Sequence, residues 1–183
     1  MEQVKIIGID PSLRSTGIST LSYDTEKKII YPPHDCQVLV NPQKFKGKDA
    51  ILNMLEMLQD TFDENEIYQN ADAYIIESPA VMFNKAWSSG TMALIAHISG
   101  GAAVIFGLEK VHLFRPNEWN KNRKKEVTHA QTIKELGDPE TWDFYKTLKS
   151  DKYIEHVLDA ASMALFWMKS QYWEDEEFKE QEI

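Results

Sequence analysis

Three acidic residues of this chain lie where apolar core residues are expected. Asp10 ends the apolar run 4–9, and Glu77 ends a second such run, so each carboxylate is expected at the end of a buried strand. Asp159 lies inside the apolar segment 156–164, which has the composition of a buried helix. A carboxylate attached to the core loses hydration and needs a charged partner. The three acids therefore predict a shared site for divalent cations, which bind carboxylate oxygens.

A histidine extends this set. His156 lies three residues before Asp159, so on a helix the two side chains share one face. Oxygen ligands with one imidazole suit Mg²⁺ or Mn²⁺ better than zinc. Taken singly, Asp10 could form a turn before Pro11, Glu77 could end a strand at the solvent, and His156 could be a surface or core-edge histidine. The four residues together favour a metal site.

The elements that must position these residues follow from the hydrophobic pattern. Strand-like runs separated by turn-rich segments predict an antiparallel meander at 3–10, 15–22, 28–31 and 36–40. Apolar and small residues in helical patterns predict helices at about 48–64, 88–108, 127–136 and 151–172. Two short strands are expected at 73–77 and 111–114, a turn at 116–119, and a loop at 138–150.

The order of these elements predicts a mixed sheet flanked by helices, which is an α/β layered domain. In such a domain the first strand can lie at the sheet centre beside the strand that ends in Glu77. The last helix would then pack across one face of the sheet. In this arrangement Asp10, Glu77 and Asp159 converge.

Composition bounds the class of protein. The chain has 183 residues and is 43% hydrophobic, which suits one domain, 1–172, followed by an acidic tail, 173–183. The tail has six acids and one base and supplies −5 of the net charge of −9, so a DNA ligand is not excluded. Without a signal-peptide pattern or a bilayer-length apolar stretch, a soluble intracellular protein is expected. Cys36 is the only cysteine, which excludes an internal disulfide, and no Cys/His cluster has zinc-site spacing.

A basic cluster lies between the last predicted strand and the helix 127–136. Its members are the basic side chains Arg115, Lys121, Arg123, Lys124 and Lys125. Basic groups near a helix N-terminus are suited to contact backbone phosphates and so to position a duplex. The alternative is an ordinary solvated start of a helix.

Several motifs, in order along the chain, resemble those of the RuvC-like Holliday-junction resolvases, members of the RNase H and retroviral-integrase superfamily. The matching segments are Gly8-Ile9-Asp10-Pro11-Ser12 with Thr16-Gly17, Ile75-Ile76-Glu77, Ile98-Ser99-Gly100-Gly101-Ala102-Ala103, and the segment from His156 to Ala164. The resemblance extends to about Lys169. The chain departs from the family in a longer segment after Glu77, an insertion at about 138–150, and the acidic tail.

The resemblance implies a fold and a chemistry. The fold would be an RNase H-like mixed five-stranded sheet, with three antiparallel strands and two parallel ones, flanked by helices. Asp10, Glu77, His156 and Asp159 would be the catalytic metal ligands, holding two Mg²⁺ ions with Mn²⁺ tolerated. His156 would either bind a metal or orient the attacking water. The products would be paired nicks with 5′-phosphate and 3′-hydroxyl ends.

The resemblance also implies partners. The substrate would be branched DNA, above all four-way junctions in recombination and repair, and a homodimer would match the two-fold symmetry of a junction. Lys125 is the best match to the family's DNA-binding lysines, and Lys85 is a further candidate. Phe83, in the apolar loop 81–87, would wedge between bases at the branch point, or it could pack against a helix or a dimer partner. The setting would be the cytoplasm of a bacterium or of a phage-infected host cell.

Three other functions are alternatives to junction resolution. A broader endonuclease would also cut forks and flaps. A catalytically silent junction-binding module would not need the complete acidic set. An actin-like ATPase also opens with a Gly-Ile-Asp strand, but that fold needs two such domains and a longer chain.

Overall fold

The computed structural model describes residues 3–79, 89–121, 123–142 and 151–173. Its centre is a five-stranded mixed sheet in the order β3-β2-β1-β4-β5. The strands are β1 (Gln3–Asp10), β2 (Ser15–Asp24), β3 (Ile29–Val40), β4 (Ala73–Glu77) and β5 (Val111–Phe114). The first three strands pair antiparallel, whereas β4 pairs parallel to β1, and β5 pairs parallel to β4. The mixed sheet predicted from the sequence, with β1 at its centre, is confirmed.

Helices lie on both faces of the sheet. They are α1 (Gly47–Glu64), α2 (Glu66–Gln69), α3 (Ser89–Phe106), α4 (Pro116–Trp119), α5 (Lys125–Leu136) and α6 (Asp151–Tyr172). Successive residues of β1 point to opposite faces: Ile6 packs in the layer that contains α6, whereas Ile7 packs in the layer that contains α1 and α3. Because both faces of the central strands are covered, apolar residues occupy consecutive positions in β1 and β4, whereas β2 buries several Ser and Thr side chains among its apolar residues.

Several predicted boundaries shift by a few residues, and the short helix α2 was not predicted, but two differences are larger. The runs 28–31 and 36–40 belong to one strand, β3, which continues through Pro32 and Pro33. Proline is tolerated there because β3 is an edge strand and because its register with β2 shifts between Thr20 and Ser22. The turn expected at 116–119 is the single helical turn α4.

Three segments named in the sequence analysis lie wholly or partly outside the residues that the structure describes. Residues 143–150, 80–88 and 174–183 lie outside the described ranges. Among the residues that are described, no helix is long and apolar enough to cross a membrane.

Two strand glycines determine how closely α6 approaches the sheet. A Cβ atom added at Gly8 would lie 1.9 Å from the carbonyl oxygen of Ala160, and one added at Gly17 would lie 2.3 Å from that of His156. Glycine inside a strand weakens it and often marks a close backbone approach. Here the two glycines let the backbone of α6 lie directly on β1 and β2.

Candidate active site

The acidic residues meet at one edge of the sheet. Ile9 of β1 is paired with Ile76 of the parallel strand β4, so Asp10 and Glu77 follow at the same carboxyl-terminal edge. Helix α6 crosses β1 and β2 and carries His156 and Asp159 to this edge.

His156 joins Asp10 to β2. Its Nδ1 atom lies 2.6 Å from Oδ2 of Asp10, and its Nε2 atom lies 2.7 Å from the hydroxyl oxygen of Ser15. An ionised carboxylate only accepts hydrogen bonds. With Asp10 ionised, Nδ1–H therefore donates to Asp10, and Nε2 shares a second hydrogen bond with the Ser15 hydroxyl. Both ring nitrogens are engaged, so in this arrangement His156 orients Asp10, and binding a metal would require it to give up one partner.

Asp159 is held through both of its oxygens by helix α5. Nε2 of His129 lies 2.7 Å from Oδ1, and Nζ of Lys125 lies 2.7 Å from Oδ2. Lys125 also lies 3.4 Å from a carboxylate oxygen of Glu155.

The carboxylates of this site lie close together, and their burial and mutual charge shift the pKa values of the residues in it. Burial raises the pKa of Glu77 to about 9, and the negative charges of Asp10 and Asp159 act in the same direction. Burial also raises the pKa of Asp10, although the hydrogen bond from His156 opposes the rise. Partial burial alone would lower the pKa of Lys125, but its hydrogen bond to Asp159 and the charges of Asp159 and Glu155 raise it. In the free protein, nearby positive groups therefore do not fully offset the charge of these carboxylates.

The side chains of this cluster are of the chemical types that bind divalent ions. Three carboxylates with unfavourable mutual charge are oxygen ligands of the kind that Mg²⁺ and Mn²⁺ bind, and a bound cation would relieve their repulsion. Across the described ranges, however, no three His, Cys, Asp or Glu side chains are already arranged to hold one ion. In this arrangement, hydrogen bonds from His156, His129 and Lys125 occupy Oδ2 of Asp10 and both oxygens of Asp159.

Backbone contacts support the two strand ends. The hydroxyl of Ser99, on α3, donates to the carbonyl oxygen of Glu77 over 2.9 Å. In the turn after Asp10, Ser12 and Thr16 bond to each other through backbone and hydroxyl groups at 3.2 Å. These bonds hold the backbone at Glu77 and in the turn that follows Asp10.

The predicted DNA-binding residues differ in their exposure and in their contacts. Lys125 is the first residue of α5 and contacts the acidic cluster, whereas Lys121 and Lys124 are exposed near it. Arg123 is half-buried and donates to Gln131 over 2.7 Å, and Arg115 is exposed before α4. The two loop candidates, Phe83 and Lys85, lie outside the described residues.

Sequence reasoning missed two residues of this site. They are Ser15, the first residue of β2, and His129, on α5. A signal for His129 was present, because it lies four residues after Lys125 and so shares one helical face with it. The signal for Ser15 is weaker, because a serine beside a turn has many ordinary roles.

Comparison with known proteins bears on the fold. No protein-family model matches the chain, and no curated protein sequence does so. Among solved structures, the chain is similar to Thermus thermophilus RuvC bound to a Holliday-junction substrate, with 14% identity, a TM-score of 0.64, and coverage of 92% of this chain and 96% of RuvC. The yeast mitochondrial Holliday-junction resolvase Ydc2 has 14% identity and a TM-score of 0.59, covering 98% of this chain and 86% of its own.

A third similar structure is the fowlpox virus resolvase in complex with Holliday-junction DNA. It has 15% identity and a TM-score of 0.54, covering 92% of this chain and 99% of the viral one. The chain thus has the RNase H-like fold of the RuvC-like Holliday-junction resolvases. The fold expected from the motifs is confirmed.

Proposed function

We propose that this chain is a metal-dependent endonuclease that resolves four-way DNA junctions by paired nicks. The observation that carries the proposal is the convergence of Asp10, Glu77 and Asp159, from two parallel strands and a crossing helix, in a RuvC-like fold. The junction DNA bound by two of the similar proteins supports the choice of substrate.

The residues of the chain have separate tasks in this function. Asp10, Glu77 and Asp159 would hold two Mg²⁺ ions, with Mn²⁺ tolerated. When bound, such ions activate water and stabilise charge on the leaving oxygen. His156 holds the carboxylate of Asp10 in one orientation through Nδ1. The exposed basic residues before α5 would bind backbone phosphates and place the strand beside the acids.

A cleavage assay with matched substrates tests the proposal. A synthetic four-way junction, a linear duplex of the same sequence, a fork and a flap are each incubated with the protein and Mg²⁺. We expect symmetric paired nicks in the junction and none in the duplex. Because the ends should be 5′-phosphate and 3′-hydroxyl, DNA ligase should seal the resolved products.

The other outcomes identify the alternatives. Equal cleavage of forks and flaps would indicate a broader branched-DNA endonuclease. Junction binding without cleavage in either Mg²⁺ or Mn²⁺ would indicate a silent binding module. Neither binding nor cleavage would contradict the proposal.

A homodimer would supply the second active site that paired nicking needs. Helix α3 supports this proposal, because Ala93, Ala96, Gly100 and Val104 are exposed and are three or four residues apart. A Cβ added at Gly100 would meet nothing within 4 Å, so the protomer gives no steric reason for a glycine there. A mid-helix glycine costs about 1 kcal/mol relative to alanine, whereas small residues let a second helix approach closely.

The variant Gly100→Arg tests the interface. We expect the dimer to become a monomer, measured by light scattering after size-exclusion chromatography. Arginine has a higher helix propensity than glycine, so the substitution itself should not unfold the protomer. Val127→Arg is the matched control, because Val127 is an exposed apolar residue on α5, in the opposite layer. A dimeric Gly100→Arg protein would exclude this face of α3 as the interface.

A further inference from the structure

The two residues of α5 that hold Asp159 differ in how firmly they are placed. The side chain of His129 is only 12% exposed, and one turn further along, the hydroxyls of Thr132 on α5 and Ser162 on α6 lie 2.7 Å apart in a buried contact. Lys125 begins α5, its side chain is 45% exposed, and it bonds to both Asp159 and Glu155. The imidazole is therefore fixed beside Asp159, whereas the lysine can leave by rotating its flexible side chain.

These two contacts have opposite consequences for a cation. A hydrogen bond from a neutral imidazole orients a ligating carboxylate, and groups that orient ligands in this way typically contribute 10- to 100-fold to metal affinity. A lysine ammonium is a positive charge on the second oxygen, so it competes with the incoming ion and repels it.

We propose that His129 is a positioning residue for metal binding at Asp159 and that Lys125 blocks the second oxygen of Asp159 until a DNA phosphate draws the lysine away. The proposal rests on the proposed function, because it assigns ion and DNA binding to the same site. Lys125 belongs to the basic cluster, and a phosphate that draws its ammonium away leaves Oδ2 of Asp159 free for an ion. DNA and ion therefore bind cooperatively, and the site is completed only on the substrate.

The first test measures Mn²⁺ binding to the protein without DNA, by electron paramagnetic resonance of the free ion. His129→Ala should weaken binding by about 10- to 100-fold. His129→Gln should restore most of the affinity, because its amide can place an N–H near the position of Nε2. Lys125→Met should strengthen binding by roughly tenfold, since it removes the competing charge. Lys134→Met is the control, because Lys134 is an exposed lysine of the same helix that lies outside the basic cluster, and it should leave Mn²⁺ affinity unchanged.

The second test measures the coupling. The dissociation constant of a four-way junction is determined in EDTA and in Ca²⁺, by fluorescence anisotropy. Coupling between two ligands is reciprocal, so the wild type should bind the junction more tightly in Ca²⁺ by roughly tenfold. In Lys125→Met this ratio should fall towards one, whereas Lys134→Met should keep it.

The outcomes separate this inference from the proposed function. Weaker Mn²⁺ binding in Lys125→Met would overturn the blocking role. Unchanged Mn²⁺ affinity in His129→Ala, or a loss that His129→Gln does not restore, would overturn the positioning role. An equal calcium ratio in Lys125→Met and the wild type would overturn the coupling. In each case wild-type cleavage of the junction would leave the proposed function standing, and it fails only if the wild type does not cleave.

Discussion

Replacing Asp10 with Asn should abolish junction cleavage while leaving junction binding within a few-fold of the wild type. The amide has nearly the same shape and can still accept the hydrogen bond from Nδ1 of His156, so the local structure should persist. It lacks the negative charge that binds a divalent ion. We expect the cleavage rate to fall by on the order of a thousandfold or more, because positioned metal charge supplies several kcal/mol of transition-state stabilisation.

Two measurements on the same preparation check this result. Single-turnover cleavage on a denaturing gel gives the rate, and anisotropy with a labelled junction gives the affinity. Asp63→Asn is the matched control, because Asp63 is exposed on α1, where it accepts a hydrogen bond from Gln59. That variant should cleave at the wild-type rate. Wild-type nicking by Asp10→Asn would exclude this acidic cluster as the active site.

Much of the fold followed from periodicity, because the central strands are buried on both faces. The runs 4–9 and 73–76 are mostly apolar and were predicted as strands, and the order of strands and helices predicted the mixed sheet. Strand β3 was harder to predict, since Pro32 and Pro33 interrupt its pattern. Only its place at the sheet edge, which a local pattern does not reveal, makes them compatible with one strand.

The candidate site was predicted less completely than the fold. Charged residues in apolar segments are conspicuous, so Asp10, Glu77 and Asp159 were found. Their ligand roles remain predictions. His156 and Lys125, which bond to Asp10 and Asp159, were also named, whereas Ser15 and His129 were not, although His129 shares a helical face with Lys125. The importance of Ser15 and His129 comes from contacts across long sequence separations, as between Ser15 and His156.

These contacts suggest how one site can be stable without its ions and still bind them. The ammonium of Lys125 and the hydrogen bonds from His129 and His156 offset part of the carboxylate repulsion. An arrangement that replaced these groups with apolar ones would leave buried like charges unpaired, which is costly. Under the proposed function an ion would displace only Lys125, so its affinity would be lowered in exchange for a stable free state.

The close approach of α6 to the sheet gives the second large prediction. Gly8→Ala should destabilise the protein by about 3 kcal/mol and abolish cleavage. Its Cβ would lie 1.9 Å from the carbonyl oxygen of Ala160, and backbone cannot rotate away as a side chain can. Helix α6 must therefore move off β1, and Asp159, one residue before Ala160, must move away from Asp10 with it.

Urea denaturation at one fixed protein concentration measures the loss of stability, since dimerisation would make the result concentration-dependent. Gly90→Ala is the control, because a Cβ there would meet nothing within 4 Å and Gly90 lies in the first turn of α3. It should change the free energy of unfolding by no more than about 1 kcal/mol. A Gly8→Ala protein with wild-type stability and activity would mean that α6 does not lie on β1 as described. The geometry that brings Asp159 to the sheet edge would then be wrong, whatever reaction the site performs.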